Sequence, residues 1–501
     1  MEFNTYIWQL YKNSSEGCEA IKCFTNLSDE IELGKFKLTM AGNSLDVSDG
    51  IWEFSQVVVE KYLDTKIKDI SEAEDLFNQI ADGFPVTFYD EENGKQEDTV
   101  LGHADLLDWL MELSTGLYFC FPEYFFPYFF DSRFDLLKQI CDIFGIPIPK
   151  LPGKQRFDKR FAYYFELCQV FYEFRKNRNL SSAELCAFLY SFAPNFISME
   201  SDSELPQPLR VWIVGSGINN NGDPEFLDSV EESSVAGWQG NVDTRRGDIV
   251  LIYCLSPRSY IHSIWRAKAD GFIDPFFYFY TRVWLCNPIK TAHVTYADLR
   301  NDPLLSQNGL VKSSMQGLNG RRFNYQEYEA ILKIMERKGQ DISILPRLDV
   351  IYDVDEEENL PKDERDVEVC FVEPLLMKLG YEPDNWTRQM AVRMGSGERV
   401  FPDYAFFPKQ NRGEEQARMI LETKYRIRSQ KDLFKAYCQA KSYALRLQSS
   451  VFVIAAVEGV WIFVLEKNGF TLEKHIHKTW KEIYHPDTFC NILDLVGKSN
   501  N

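Results

Sequence analysis

The spacing of apolar residues changes character twice along this chain. In residues 104–113, 134–144 and 161–174 they recur every three or four positions, the period of a helix with one buried face. Ser181-Ser182-Ala183-Glu184 is a capping sequence that opens a further helix through Phe192. Pro147-Ile148-Pro149 and Leu151-Pro152-Gly153 punctuate the region. Residues 1–200 therefore predict a mostly helical domain after a poorly patterned start. From residue 208 the runs shorten: Val211-Trp212-Ile213-Val214-Gly215, then 248–253 and 261–269, bounded by Gly, Asn and Pro. An aromatic stretch over 276–285 predicts another strand, and 327–335 a closing helix. Short strands with few helices predict a small β-barrel over 208–340. Later, Met419-Ile420-Leu421, 451–457 and 460–465 read as buried strands. Acids and prolines at 199–208 and an acidic run at 350–368 lack apolar periodicity and read as linkers; residues 481–501 read as a tail.

Length agrees with several domains, since 501 residues exceed one ordinary core. An apolar share of 45% and aromatic share of 15% describe a globular chain. No apolar run of about 18 residues occurs, so no membrane-spanning helix is expected. The start, Met1-Glu2-Phe3-Asn4, lacks the features of a secretory signal. With cysteines scattered singly and no C-x-x-C pair, the expectation is a cytoplasmic protein with reduced thiols and no zinc site. The aromatic stretch 118–130 lies among acids without arginine. That favours buried packing or a protein interface over base stacking.

Net charge is −20, but it is unevenly spread. The first hundred residues are acidic, whereas Arg388, Arg393, Arg399, Arg412, Arg418, Arg426, Arg428, Lys431, Lys435, Lys441 and Arg446 cluster late in the chain. Local field governs phosphate attraction, so a basic segment inside an acidic chain is compatible with nucleic acid. Within that segment stand Pro402-Asp403-Tyr404 and Ile420-Leu421-Glu422-Thr423-Lys424. In a strand, alternate residues share a face, so Glu422 and Lys424 point the same way. Two carboxylates and an amine at one place suit a hard divalent cation and an attacking water. The bland alternative is an exposed ion pair, which contributes little.

These residues resemble the PD-(D/E)XK nucleases, and among them the nuclease domain of type I restriction subunits, over residues 366–480. Phe371-Val372-Glu373-Pro374-Leu375-Leu376 is similar to the family's first helix, and Gln439-Ala440-Lys441-Ser442-Tyr443 to its Q-x-x-x-Y helix. The resemblance implies a restriction-endonuclease-like α/β domain. Catalytic residues would be Asp403, Glu422, Lys424, Glu373, Gln439 and Tyr443. Mg2+ or Mn2+ would be held by Asp403, Glu422 and the carbonyl of Thr423. No G-x-x-x-x-G-K-[ST] sequence occurs, so no nucleotide cofactor and no motor are expected.

A second resemblance covers 208–340. Val211-Trp212-Ile213-Val214-Gly215-Ser216-Gly217, Gly237-Trp238-Gln239-Gly240 and Arg246-Gly247-Asp248-Ile249 are similar to EVE domains of the PUA-like superfamily, which read modified bases. It implies a pocket in which Trp238 stacks on a flipped base while Ser216, Asn219 and Gln316 supply polar contacts. Each has an ordinary alternative: Trp238 as a barrel plug, Ser216 as a turn residue, Asn219 as loop. Together the resemblances imply a multidomain α+β protein: a modification-dependent restriction endonuclease acting on DNA that carries an altered base, a modified cytosine being favoured. They imply use against phage, working as a homodimer. A nucleic-acid sensor without catalysis and an RNase stay open.

Overall fold

The computed structural model describes residues 3–40, 43–46, 49–90, 95–198, 204–217, 223–348, 361–393, 399–409, 414–467 and 469–498. The chain divides into two compact units. One comprises residues 1–206, 212–321 and 338–340; the other comprises 207–211, 322–337 and 341–501. The architecture is multidomain α+β, with a helical N-terminal region, a central curled sheet and a C-terminal mixed sheet. Among the described residues, no helix is long and apolar enough to cross a membrane.

The N-terminal region is helical from Thr5–Lys12 onward, where no apolar period announced it. Capping fixes those first helices: Asn4 accepts the N–H groups of Tyr6 and Ile7, and Ser14 accepts that of Gly17. Two hairpins interrupt the helices, β1 (Lys37–Met40) with β2 (Asn43–Asp46) and β3 (Phe84–Asp90) with β4 (Lys95–Leu101). The capping sequence at Ser181 forms as read: Ser181 Oγ accepts the Glu184 N–H at 3.2 Å, and Glu184 Oε2 accepts the Ser181 N–H at 2.8 Å. From there Ser182–Ala187 continues through a π turn, Phe188–Phe192, into Ala193–Ser198. The aromatic stretch is core, with Phe125, Phe126, Tyr128, Phe129 and Phe130 all buried.

The central sheet, which apart from Val211, Arg322 and Phe323 belongs to the same unit, runs in the order β11-β5-β7-β8-β10-β6. Its strands are β5 (Val211–Ser216), β6 (Ala236–Gln239), β7 (Ile249–Cys254), β8 (Tyr260–Ala267), β10 (Thr281–Thr295) and β11 (Asn319–Phe323), with short β9 (Phe272–Ile273) on β10. The sheet curls until its edges meet, and side chains rather than a strand ladder join them. Trp238 Nε1 of β6 donates to the Gly215 carbonyl of β5 at 2.9 Å, and Asn241 Nδ2 donates to the Gly320 carbonyl of β11 at 3.0 Å. Gly320 has φ +65°, and a Cβ there would come within 2.6 Å of the Asn241 backbone nitrogen, so the closure requires glycine.

The aromatic stretch predicted as strand over 276–285 divides at residue 281. Thr281 onward is β10, whereas residues 274–280 form a turn that plugs into the helical region. Phe276 packs against Tyr128, Phe134 and Tyr163, a burial that contributes about 2–3 kcal/mol. Arg160, fully buried on the helix Phe157–Arg178, donates to the carbonyls of Pro275 (2.7 Å), Phe277 (2.5 Å) and Lys154 (3.1 Å). A buried guanidinium is tolerated only when its donors are satisfied in this way.

Beside this plug, Asp274 accepts the Phe276 N–H at 3.0 Å and lies 3.2 Å from Arg282 Nε. Burial pushes its carboxyl up to about 6, although the Arg282 charge opposes the shift. The folded-state value is above the unfolded one, so the ionised form is the costly one and this contribution to stability falls as pH rises through about 4 to 6. Relative to Asp274→Asn, the wild type should lose about 2–3 kcal/mol over that interval, read from urea unfolding midpoints. Parallel pH profiles for the two proteins would contradict the assignment.

In the second unit a six-stranded sheet has the order β12-β15-β16-β17-β18-β19. These are Trp386–Arg388, Tyr404–Phe406, Met419–Thr423, Val451–Ala456, Gly459–Val464 and Ile476–Lys478, with a separate hairpin of β13 (Val392–Arg393) and β14 (Arg399–Val400). Only β16 and β17 pair in parallel, joined by the helix Gln430–Arg446 across one face. The opposite face is covered by a helical stretch from Glu364 to Lys378 and by Trp480–Ile483 and Pro486–Val496.

Two boundaries differ from the sequence reading. Within the 350–368 linker, residues 350–360 lie outside the described residues. Residues 362–366, however, open a helix capped by Asp363, whose carboxylate accepts the Asp366 N–H at 2.9 Å. Residues 481–498 of the expected 481–501 tail are packed rather than free: Ile483, Phe489, Ile492 and Val496 are buried in the sheet's core, and 499–501 lie outside the described residues. Both segments are polar or short enough to lack a period, and their order comes from caps and tertiary packing.

Candidate active site

The C-terminal cluster follows from strand register. β15 and β16 are antiparallel with Tyr404 opposite Leu421 and Ala405 opposite Ile420. One step further, Asp403 falls opposite Glu422, and directly opposed residues share a face. That face carries Ala405, Ile420 and the Gln430–Arg446 helix. Asp403 Oδ2 accepts the Thr423 N–H at 2.7 Å, which fixes the carboxylate beside Glu422. Lys424 Nζ is 2.8 Å from Glu422 Oε1, and Gln439 Nε2 donates to the same oxygen at 2.5 Å. Gln439 is itself 3.2 Å from the Tyr443 hydroxyl, one helical turn on. Five of the six residues expected to be catalytic are thus joined in one network.

Glu422 is 2% exposed, and its second oxygen, Oε2, has no hydrogen-bond partner among the described residues. Burial, and then the charge of Asp403, push its carboxyl up to about 7. Burial also holds Asp403 above the ordinary carboxylate range, against the pull of the Thr423 N–H. For Lys424, burial opposes the charge, but Glu422, Glu364 and Asp403 outweigh it and leave the ammonium above its usual value. The two carboxyls together make ionisation costly here.

Glu373 sits apart from that network. Its Oε1 accepts the Tyr404 hydroxyl at 3.2 Å and Arg388 Nη1 at 3.3 Å. The acid that reaches Lys424 from the helix is Glu364, at 3.4 Å, and Glu364 and Glu368 both add their charge at Asp403. Neither was singled out from sequence. The signal was there: an Asp363 cap followed by acids four apart, one above the other on a helix. Glu368 is buried and paired with Arg388 and with Arg365, the latter at 2.5 Å. Among the described residues, no group of three or more His, Cys, Asp or Glu side chains clusters in metal-binding geometry. A cation here would have two carboxylates and backbone oxygen.

The expected basic cluster divides. Arg388, Lys441 and Arg446 are tied internally, Arg446 to Glu415 at 2.6 Å and Lys441 to the Phe470 carbonyl at 2.9 Å. Arg399, Arg418, Arg428, Lys431 and Lys435 are exposed, and Arg412 lies outside the described residues.

In the curled sheet, two of the four residues expected to hold a base, Trp238 and Ser216, lie beside Gly215. The Trp238 N–H is engaged by the Gly215 carbonyl, and Ser216 is buried beside the Cys254 thiol. Gln316 is exposed on a turn two residues from Leu318, whose Cβ lies 3.5 Å from where a Gly215 side chain would begin. Asn219 lies outside the described residues. Trp238 also faces Phe226, ring centres 6.4 Å apart.

No protein-family model and no curated protein matches the chain. Solved structures do match part of it. A protein of Rhodopseudomonas palustris solved by NMR is 19% identical over 26% of this chain and 96% of its own, with a TM-score of 0.22. A hypothetical protein of Leishmania major is 16% identical over 26% and 97%, TM-score 0.22. A crystal structure of an Agrobacterium tumefaciens protein is 16% identical over 28% and 99%, TM-score 0.23. Likeness at this level carries no argument about activity.

Removing Arg388 should leave Glu368 short of one partner in a buried position. Arg388→Ala is expected to lower stability by about 1–3 kcal/mol in urea unfolding, and adding Glu368→Gln should restore part of it. Equal losses in the single and double variants would show that the pair is not coupled.

Proposed function

We propose that this chain is a modification-dependent DNA endonuclease, with an EVE-like reader in the curled sheet and a metal-dependent phosphodiesterase in the C-terminal unit. The observation that carries the reading is the juxtaposition of Asp403 and Glu422 on one buried face with Lys424 and Gln439 bonded to Glu422. The residues fit a divalent cation: the donors are all oxygen, Glu422 Oε2 is unpartnered, and the excess negative charge is what a dication relieves. Asp403, Glu422 and the Thr423 carbonyl would hold it. Bound there, Mg2+ would supply Lewis acidity toward a phosphate oxygen. Lys424 offsets charge gathering on the phosphate in the transition state, and Gln439, held by Tyr443, fixes the orientation of Glu422. Glu422, with Glu364 behind it, favours the charged form of Lys424. One such pocket cuts one strand, so duplex cleavage calls for two copies of the chain. In the curled sheet, Trp238 and the groups round Gly215 would receive a flipped base, an altered cytosine being the favoured guest.

The test is incubation of the full chain with Mg2+ and matched DNA carrying ordinary or modified cytosine, alongside RNA. Cleavage confined to modified DNA is expected, with Asp403→Asn and Glu422→Gln each slower by about 100-fold or more. Binding without cutting would make the protein a sensor, and cleavage of RNA alone would make it an RNase. Independently of activity, Mg2+ at about 100 times its Kd should stabilise the wild type by about 2.7 kcal/mol in thermal melts and leave Asp403→Asn unchanged. An equal response of both proteins would remove the metal from this pocket.

A further inference from the structure

The Gln430–Arg446 helix has a second face. Lys431, Phe434, Lys435 and Cys438 are exposed on it, and their spacing of three and four residues makes them one ridge. Lys431, Lys435 and Gln439 follow one another every four residues, about 6 Å per step along the axis. The ridge therefore leads to the amide that donates to Glu422. The connection from Lys424 into this helix adds Tyr425, 37% exposed with the Arg426 guanidinium 5.3 Å above its ring, and exposed Arg428. Its path is fixed: the Val457 N–H donates to the Tyr425 carbonyl at 3.2 Å, and the Ile427 N–H to Glu458 Oε2 at 2.8 Å. Between residues 424 and 435 the one carboxylate is Asp432, which accepts the Ser429 hydroxyl at 2.7 Å.

Cations alone would hold any phosphate backbone. Phe434, 53% exposed between two lysines, adds something else: a ring face open to water. Stacked duplex bases offer such a ring nothing, whereas unpaired bases stack on it. We infer that this ridge is a track for an unpaired nucleic-acid strand, with phosphates on Arg428, Lys431 and Lys435 and bases on Phe434 and Tyr425. The direction of the track, toward Glu422, rests on the phosphodiesterase reading; the binding surface itself does not.

The experiment measures binding of the full chain in EDTA by fluorescence anisotropy, using labelled oligo-deoxythymidylate and a labelled duplex of equal length over a salt series. The single strand should bind more tightly. Phe434→Ala should weaken it about tenfold without changing the salt slope. Lys431→Gln with Lys435→Gln should reduce the slope by about 1.4, two phosphate contacts at about 0.7 each. Wild-type affinity in Phe434→Ala, with an unchanged thermal melt, would overturn the inference, as would preference for the duplex. Equally effective competition by poly-glutamate would reassign the ridge to an acidic protein partner. If the strand binds here but nothing is cut with Mg2+, the hydrolytic reading fails and the track stands. If DNA is cut while these variants bind normally, the track fails alone.

Discussion

Two carboxylates that share a buried face repel each other, and the C-terminal unit is arranged around that repulsion. The apolar pattern of β15 and β16 sets both carboxylates on one face, and the register the strands adopt places Asp403 across from Glu422. What surrounds them is compensation, from the Thr423 N–H, the Lys424 ammonium and the Gln439 amide. The compensation is incomplete, because one oxygen of Glu422 stays unpartnered. Arg365 and Arg388, meanwhile, neutralise Glu368 and Glu373 a short way off. Uncompensated charge is thereby concentrated at one spot, at some expense of stability.

Much of that spot was legible in the sequence because both relevant periods are short. Glu422 and Lys424 share a face by the two-residue alternation of strands, and Gln439 and Tyr443 share one by the four-residue repeat of helices. Glu364 and Glu368 were not legible in practice. They stand in a run of charges whose helix is held by a cap and by packing on the far side of the sheet, with a π turn at Glu368–Val372 that breaks the ordinary period. The same reason hid the helix Pro486–Val496, which owes its order to partners far away in sequence. In the first unit, the run Phe276 to Tyr280 has strand-like composition but serves as a turn, because its rings fill a hole in another part of the fold.

The curled sheet shows a related ambiguity between structure and recognition. A tryptophan at the rim of a small barrel can serve as a wall for a guest or as a clasp between strands. Trp238 is a clasp, since its indole N–H is spent on the Gly215 carbonyl, and its ring is buried in the sheet's core with Phe226 beside it. A clasped ring is a rigid one, and rigidity is what a stacking platform needs.

The guanidinium of Arg160 has an implication for where this protein can be divided. A sheet of this kind is ordinarily thought of as a module that evolution can cut out and paste elsewhere. Here its turn at Pro275–Tyr280 ends in carbonyls and rings that are complete only inside another region's helices. Excised at residue 208, the sheet would present bare acceptors and an oily knob to water. The two regions therefore complete each other, and any excised fragment that keeps the sheet must carry the helices with it.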